Sequence, residues 1–142
     1  MRISRVLGGG ACERKANLKM DLKQIQDLFR ATDKGDSERL CKYIHPEVVL
    51  TMVGVEGVDA PFDRPGYFRF LEESIRYREG RNERTEHVPA HVKIEGSTIV
   101  VRGFLKIEKN ESAEEADEYH PYTDVLKIRD GQIVEYDILY DI

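Results

Sequence analysis

No apolar run in this sequence approaches the ~20 residues that a membrane-spanning helix needs, which excludes a helical membrane anchor from the reading. Cysteine is nearly absent, with Cys12 and Cys41 alone. Two cysteines, one in the N-terminal stretch and one in a predicted helix, make no disulfide framework, and a reducing cytoplasm is the expected location. Trp is missing and Pro is limited to five positions. An excess of positive charge is missing too. The net charge is −5 and the pI about 5.4, which argues against nucleic acid as the partner. The basic cluster "RYREGRNER" closes a predicted helix, where arginines complement the helix dipole, and it also holds two Glu. There is no Gly-rich phosphate loop, no nucleophile elbow and no Cys/His dyad, and Gly8 to Gly10 precede no strand. No cofactor is therefore expected.

What is present is a soluble-type balance, 40% hydrophobic and 35% charged, over 142 residues. That is one domain with room for one core. Residues 1–17 are too short in apolar content and too rich in Gly for a secretion signal, and read as a flexible extension. Residues 18–142 read as the domain, with Met20, where periodic sequence begins, as an alternative start.

From Leu18 to Thr32, the residues Leu18, Leu22, Ile25, Leu28 and Phe29 recur at helical spacing. Gly35 stops that helix and Asp36 caps a second, with Leu40, Tyr43 and Ile44 inward and His45-Pro46 ending it. "EVVLTMVGV" is a β-branched strand. "RPGYFRFLEESIRYREG" is a third helix with Pro65 in its first turn and Phe68, Leu71 and Ile75 on its inner face. Three long strands follow. "TEHVPAHVKIEG" places Val88, Ala90, Val92 and Ile94 on one side; "STIVVRGFLKIEK" sends Ile99, Val101, Leu105 and Ile107 inward. After the acidic, aperiodic loop "NESAEEADE" comes "HPYTDVLKIRDGQIVEYDILYDI", a hairpin turning at Asp130-Gly131. Helices first and hairpin-linked strands after predict an α+β domain with a curved antiparallel sheet against helices on one face.

The helix pair "LFRATDKGDSERLCKYIHPEVV", the third helix "RPGYFRFLEESI" and the closing "YTDVLKIRDGQIVEYDILYDI" resemble the nuclear transport factor 2-like superfamily, in its SnoaL-like and ketosteroid isomerase-like branch. The resemblance covers the chain from about residue 20 onward. It implies a cone, a cystatin-like α+β barrel, in which a strongly bent sheet wraps three helices and encloses an apolar pocket. It also implies dimerisation through the outer sheet face. Isomerases, dehydratases, epoxide hydrolases, polyketide cyclases and non-catalytic binding proteins share this form. The catalytic sets of two branches are not kept. Met52, between Thr51 and Val53, stands where ketosteroid isomerases carry their base. Leu105, Ile107 and Ile138 stand where limonene epoxide hydrolases carry an Arg and two Asp. Scytalone dehydratases use strand-borne His residues, and His87 falls near one such place.

Asp124 is the sharpest candidate. It shares a strand face with Tyr122, Leu126 and Ile128, where an unpaired carboxylate is costly and should be paired, hydrated or shifted upward in pKa. Such a group suits general acid or base work; the structural alternative is an Asp bonded to backbone or to a Tyr hydroxyl. His120 has the same parity about 13 Å along the strand, at the rim of any shared cavity. His87 and His91 are likewise about 13 Å apart on a strand, too far for one metal ion. Both face outward unless Pro89 marks a bulge. Tyr122, Tyr136 and Tyr140 lie on apolar parities, and their hydroxyls need partners that Asp124 can supply.

Two functions are compatible with this. One is a cofactor-independent enzyme on a small apolar molecule, with Asp124 and His120 as catalytic residues and Tyr122, Tyr136, Tyr140 and His87 binding the ligand. The other is a non-catalytic ligand-binding or interaction module. An open cavity around a carboxylate of raised pKa discriminates for the first. Apolar residues on both parities of "VVLTMV", with Val100 and Phe104 opposite Ile99, Val101 and Leu105, predict a homodimer.

Overall fold

The computed structural model describes residues 19–58, 61–109 and 116–141. The proposed extension at residues 1–17 and most of the acidic loop lie outside them. The first helix, α1 (Leu22–Lys34), starts on a capping box in which Asp21 accepts from the backbone N–H of Gln24 at 2.9 Å. The Gln24 side chain accepts in return from the Asp21 N–H, also at 2.9 Å. Met20, just ahead of the cap, is buried in one cluster with Ile25, the arrangement of a hydrophobic staple. That entry leaves Leu22 52% exposed, so this expected core residue is a surface one. Ile25, Leu28, Phe29 and Thr32 form the buried stripe, and Gly35 ends the helix in the left-handed region (φ 63).

The second helix is a single turn, α2 (Ser37–Leu40), capped by Asp36. The sequence placed Ile44 on that helix; instead it opens strand β1 (Ile44–Val53). Pairing decides this: Ile44 is in parallel register with Ile133, whose N–H donates to the Tyr43 carbonyl at 2.8 Å. Helix α3 (Arg64–Gly80) is capped by Asp63, which accepts from the Gly66 N–H at 2.8 Å. Its deepest residue is Tyr67, which the sequence reading did not single out, together with Leu71. Phe68 and Ile75 are half-buried.

Four further strands, β2 (Glu83–Glu95), β3 (Thr98–Lys109), β4 (Glu118–Arg129) and β5 (Gln132–Tyr140), complete a five-stranded sheet in the order β1-β5-β4-β3-β2. All pairings are antiparallel except β1 with β5. The fold is thus the expected α+β arrangement, mostly antiparallel with its helices in the N-terminal half. As a barrel it is open, since β1 and β2 are edges. The β4–β5 turn has positive φ at both Asp130 and Gly131, the backbone that a two-residue hairpin demands. The core fills the space between helices and inner sheet face with Phe29, Leu50, Tyr67, Val101, Leu126 and Tyr136. Each fully buried large side chain contributes about 1.5–3 kcal/mol.

One irregularity matters for function. The β2–β3 register passes from Pro89↔Gly103 to His91↔Arg102, so Ala90 is an extra residue, a β-bulge. Before it Thr85, His87 and Pro89 turn toward the helices, and after it Val92 does. The expected single stripe of Val88, Ala90, Val92 and Ile94 is therefore broken, and Val88 and Ile94 are exposed.

At the far end of β2, Glu83 is buried and gathers cations. Arg78 lies 2.6 Å from its Oε1, and Lys109 lies 2.7 Å from Oε2, with Arg81 at 3.4 Å. These contacts bind the C-terminal end of α3 to the β2–β3 pair. Cys41 is buried just after α2, and Cys12 lies outside the described residues. No helix among the described residues is long and apolar enough to cross a membrane.

Candidate active site

A cavity of about 620 Å³ opens between α1, α3 and the inner face of the sheet. Most of its wall is aliphatic or aromatic, including Met52, Phe70, Leu71, Ile75, Leu105 and Ile138. Polar side chains also line it, among them Thr32, Glu56, Ser74, Arg78, Thr85 and Asp141, and two polar groups stand out for acid–base chemistry.

The first is Asp124 on β4. Alternation places it inward between Tyr122 and Leu126, and it is 2% exposed. Its Oδ2 accepts from the Tyr136 hydroxyl at 3.0 Å, while Oδ1 has no hydrogen-bond partner among the described residues. Burial pushes its pKa up to about 7, against the opposing pull of nearby His87 and the Tyr136 hydrogen bond. Burial and the Asp124 charge also drive the hydroxyls of Tyr67, Tyr136 and Tyr140 well above the usual phenol range. These three tyrosines line the cavity and stay neutral donors.

The second group is a pair that spans two elements. Asp33, in the last turn of α1, holds His87 of β2 by two hydrogen bonds. Its Oδ1 lies 2.6 Å from Nδ1, and its Oδ2 accepts from the His87 backbone N–H at 2.8 Å. A carboxylate only accepts, so Nδ1 carries the proton and Nε2 is left to act on the cavity. Both residues line it. With the bulge beside Pro89 His87 faces inward, the exception that the sequence reading allowed, while His91 is exposed. The sequence reading did not name Asp33. The signal was available, because Asp33 lies four residues after Phe29 and eight after Ile25 and so continues the buried stripe of α1.

The remaining candidates are spread out. His120 sits at the cavity rim with its side chain 46% exposed, and its Nε2 lies 3.0 Å from Glu118 Oε1. It is not brought together with Asp124. Tyr136 and Tyr140 line the cavity as expected. Tyr122 does not: it is 2% exposed behind the wall, packed on Phe29 and His87. Among the described residues no group of His, Cys, Asp and Glu could hold a metal ion.

An open sheet curved over three helices around an apolar cavity with buried acid–base groups defines the nuclear transport factor 2-like class. The family profile described as the SnoaL-like domain matches residues 25–136, and the chain belongs to that family. No curated protein sequence matches it. Among solved structures it is similar to IdmH of Streptomyces antibioticus, described as a candidate polyketide cyclase. The identity is 20%, over 82% of this chain and 88% of that one, with a TM-score of 0.68. TerC, co-crystallised with polyporic acid, is 18% identical over 84% of this chain and 90% of its own, with a TM-score of 0.66. An epoxide hydrolase of M. tuberculosis is 14% identical over 84% and 81%, with a TM-score of 0.59. At these identities the likeness shows the fold.

Proposed function

We propose that this protein is a cofactor-independent acid–base enzyme acting on a small, largely apolar molecule that carries an enolisable carbonyl. The observation that carries the reading is Asp124, a carboxyl pushed up to about 7 beside an open cavity with one oxygen unpartnered. A closed, packed interior would have favoured the binding module instead. In this reading His87 Nε2, oriented by Asp33, takes a proton from carbon. Asp124, protonated through part of the neutral range, hydrogen-bonds or protonates the carbonyl oxygen, assisted by tyrosine hydroxyls. Each such proton transfer is worth about 10²–10⁴-fold in rate. The apolar wall selects the substrate and keeps water from the charged intermediate.

Proton–deuterium exchange at the α-carbons of a panel of cyclic diketones and aryl ketones, followed by NMR in heavy water, tests this. The protein is expected to accelerate exchange for at least one member, and Asp124→Asn and His87→Gln to remove the acceleration. Binding of panel members without accelerated exchange of any would overturn the catalytic reading.

Association with a second copy belongs to the same proposal. Val49, Val53, Phe104 and Leu139 are exposed on the sheet face away from the helices, with Val88 beside Phe104 on β2. A face of this kind is expected to be covered. Light scattering at micromolar concentration should return the mass of a dimer; the mass of a monomer would contradict it.

A further inference from the structure

Tyr122 is the one candidate that the fold removes from the cavity wall, and its surroundings show what it does instead. Its ring centroid lies 5.3 Å from that of His87, edge-on at 68°, and 5.8 Å from that of Phe29. Phe29 in turn lies 5.3 Å from His87. The three rings form a closed triangle with the imidazole as one corner, and Asp33 grips that corner from α1. Across the sheet, Tyr122 pairs with Gly103. A Cβ at Gly103 would come within 2.9 Å of the Tyr122 hydroxyl oxygen and of Pro89 Cα. The Tyr122 ring therefore lies back over β3 toward the bulge of β2, and its buried hydroxyl has no hydrogen-bond partner among the described residues.

We infer that Tyr122, with Phe29, is a positioning residue that clamps the His87 imidazole against Asp33 and so fixes which ring nitrogen faces the cavity. The inference rests on the acid–base reading for its purpose and on geometry alone for its content. Of the two bonds to Asp33 only one reaches the ring, at Nδ1, and the other holds the backbone N–H, so a single hydrogen bond opposes rotation about the Cβ–Cγ bond. Packing adds to that restraint, and the two aromatic neighbours supply it, Phe29 tilted at 30° and Tyr122 edge-on at 68°. The clamp is the ring, since the hydroxyl has no hydrogen-bond partner among the described residues. A side chain at Gly103 would meet the Val88 carbonyl oxygen even more closely than the Tyr122 hydroxyl at 2.9 Å, so the bulged strand and the end of Tyr122 both use that space.

Nitrogen-15 NMR of the His87 imidazole in the full chain tests this without any substrate. The wild type is expected to show one tautomer, with Nδ1 protonated and its proton protected from exchange with water. Tyr122→Phe should keep both features. Tyr122→Leu, which keeps apolar volume but not the flat ring, should populate both tautomers and speed exchange of the Nδ1 proton by about tenfold or more. Phe29→Leu should act the same way and carries the test if Tyr122→Leu does not fold. A folded leucine variant with an unchanged tautomer and unchanged exchange would overturn the inference, as would loss of both features in Tyr122→Phe. Failure of the ketone exchange assay would overturn the enzymatic reading and leave this result standing.

Discussion

Asp124→Asn is expected to make the protein more stable than wild type at pH 8 and no more stable at pH 4. The folded-state pKa of about 7 lies above the 3.8 of a free carboxyl. Between those values the folded state holds a proton that the unfolded chain has released, so wild-type stability falls as pH rises across that window. Below the window both states are protonated; above it both are ionised and the loss is complete. The gap between 3.8 and about 7 corresponds to roughly 4 kcal/mol, a large share of a domain's net stability. Asn keeps the shape and the acceptor for Tyr136 without the charge, so thermal unfolding of the variant at pH 8 should come about 10 °C higher. On the acid side Glu83 acts in the opposite sense. The Lys109 and Arg78 hydrogen bonds lower its pKa to about 2, and its contribution is lost as pH falls below 4.5 toward 2. Wild-type stability should therefore peak in mildly acidic solution, with the alkaline decline absent from Asp124→Asn. An equal change in the variant's stability at pH 4 and pH 8 would refute this.

The second large effect is expected at Asp33. In Asp33→Asn the amide oxygen can still accept from the His87 backbone N–H, but the NH₂ group now faces Nδ1. A donor there pulls the imidazole to the other tautomer, so that Nε2 presents a proton to the cavity instead of a lone pair. The fold should survive with a loss of about 1–2 kcal/mol for the changed hydrogen bond. Catalysed exchange on a responsive ketone should fall by about 10²–10⁴-fold, the range expected when a general base is disabled. Exchange rates within a factor of two of wild type would show that the dyad does not serve the reaction.

The parts of this site that the sequence reveals are those where simple periodicity holds. β4 and β5 alternate without interruption through Tyr122, Asp124 and Leu126, and again through Tyr136 and Ile138, so an inward carboxylate with a tyrosine partner could be deduced. β2 breaks that rule. One extra residue at Ala90 reverses which side chains face the helices, and Pro89 was a sign of the bulge but not of its direction. Asp33 continues the buried stripe of α1, which makes its inward position legible but not its partner. Its role depends on a contact 54 positions away, which no local pattern encodes. Tyr122 had the correct parity and the wrong neighbour. Parity says which face of the sheet a ring leaves from; it does not say where the ring comes to lie. Leu22 and Ile44 were misplaced at element boundaries, where the staple at Met20 and the pairing with Ile133 prevail over helical spacing.

The central claim is that a carboxyl inside this cavity changes protonation near neutral pH. Carbon-13 NMR of protein labelled at aspartate side-chain carboxyls, with Asp124→Asn used to assign the resonance, measures that directly. The account predicts a midpoint for Asp124 near 7, well separated from the other aspartates. A midpoint near 4 would contradict it, whatever the activity of the variants.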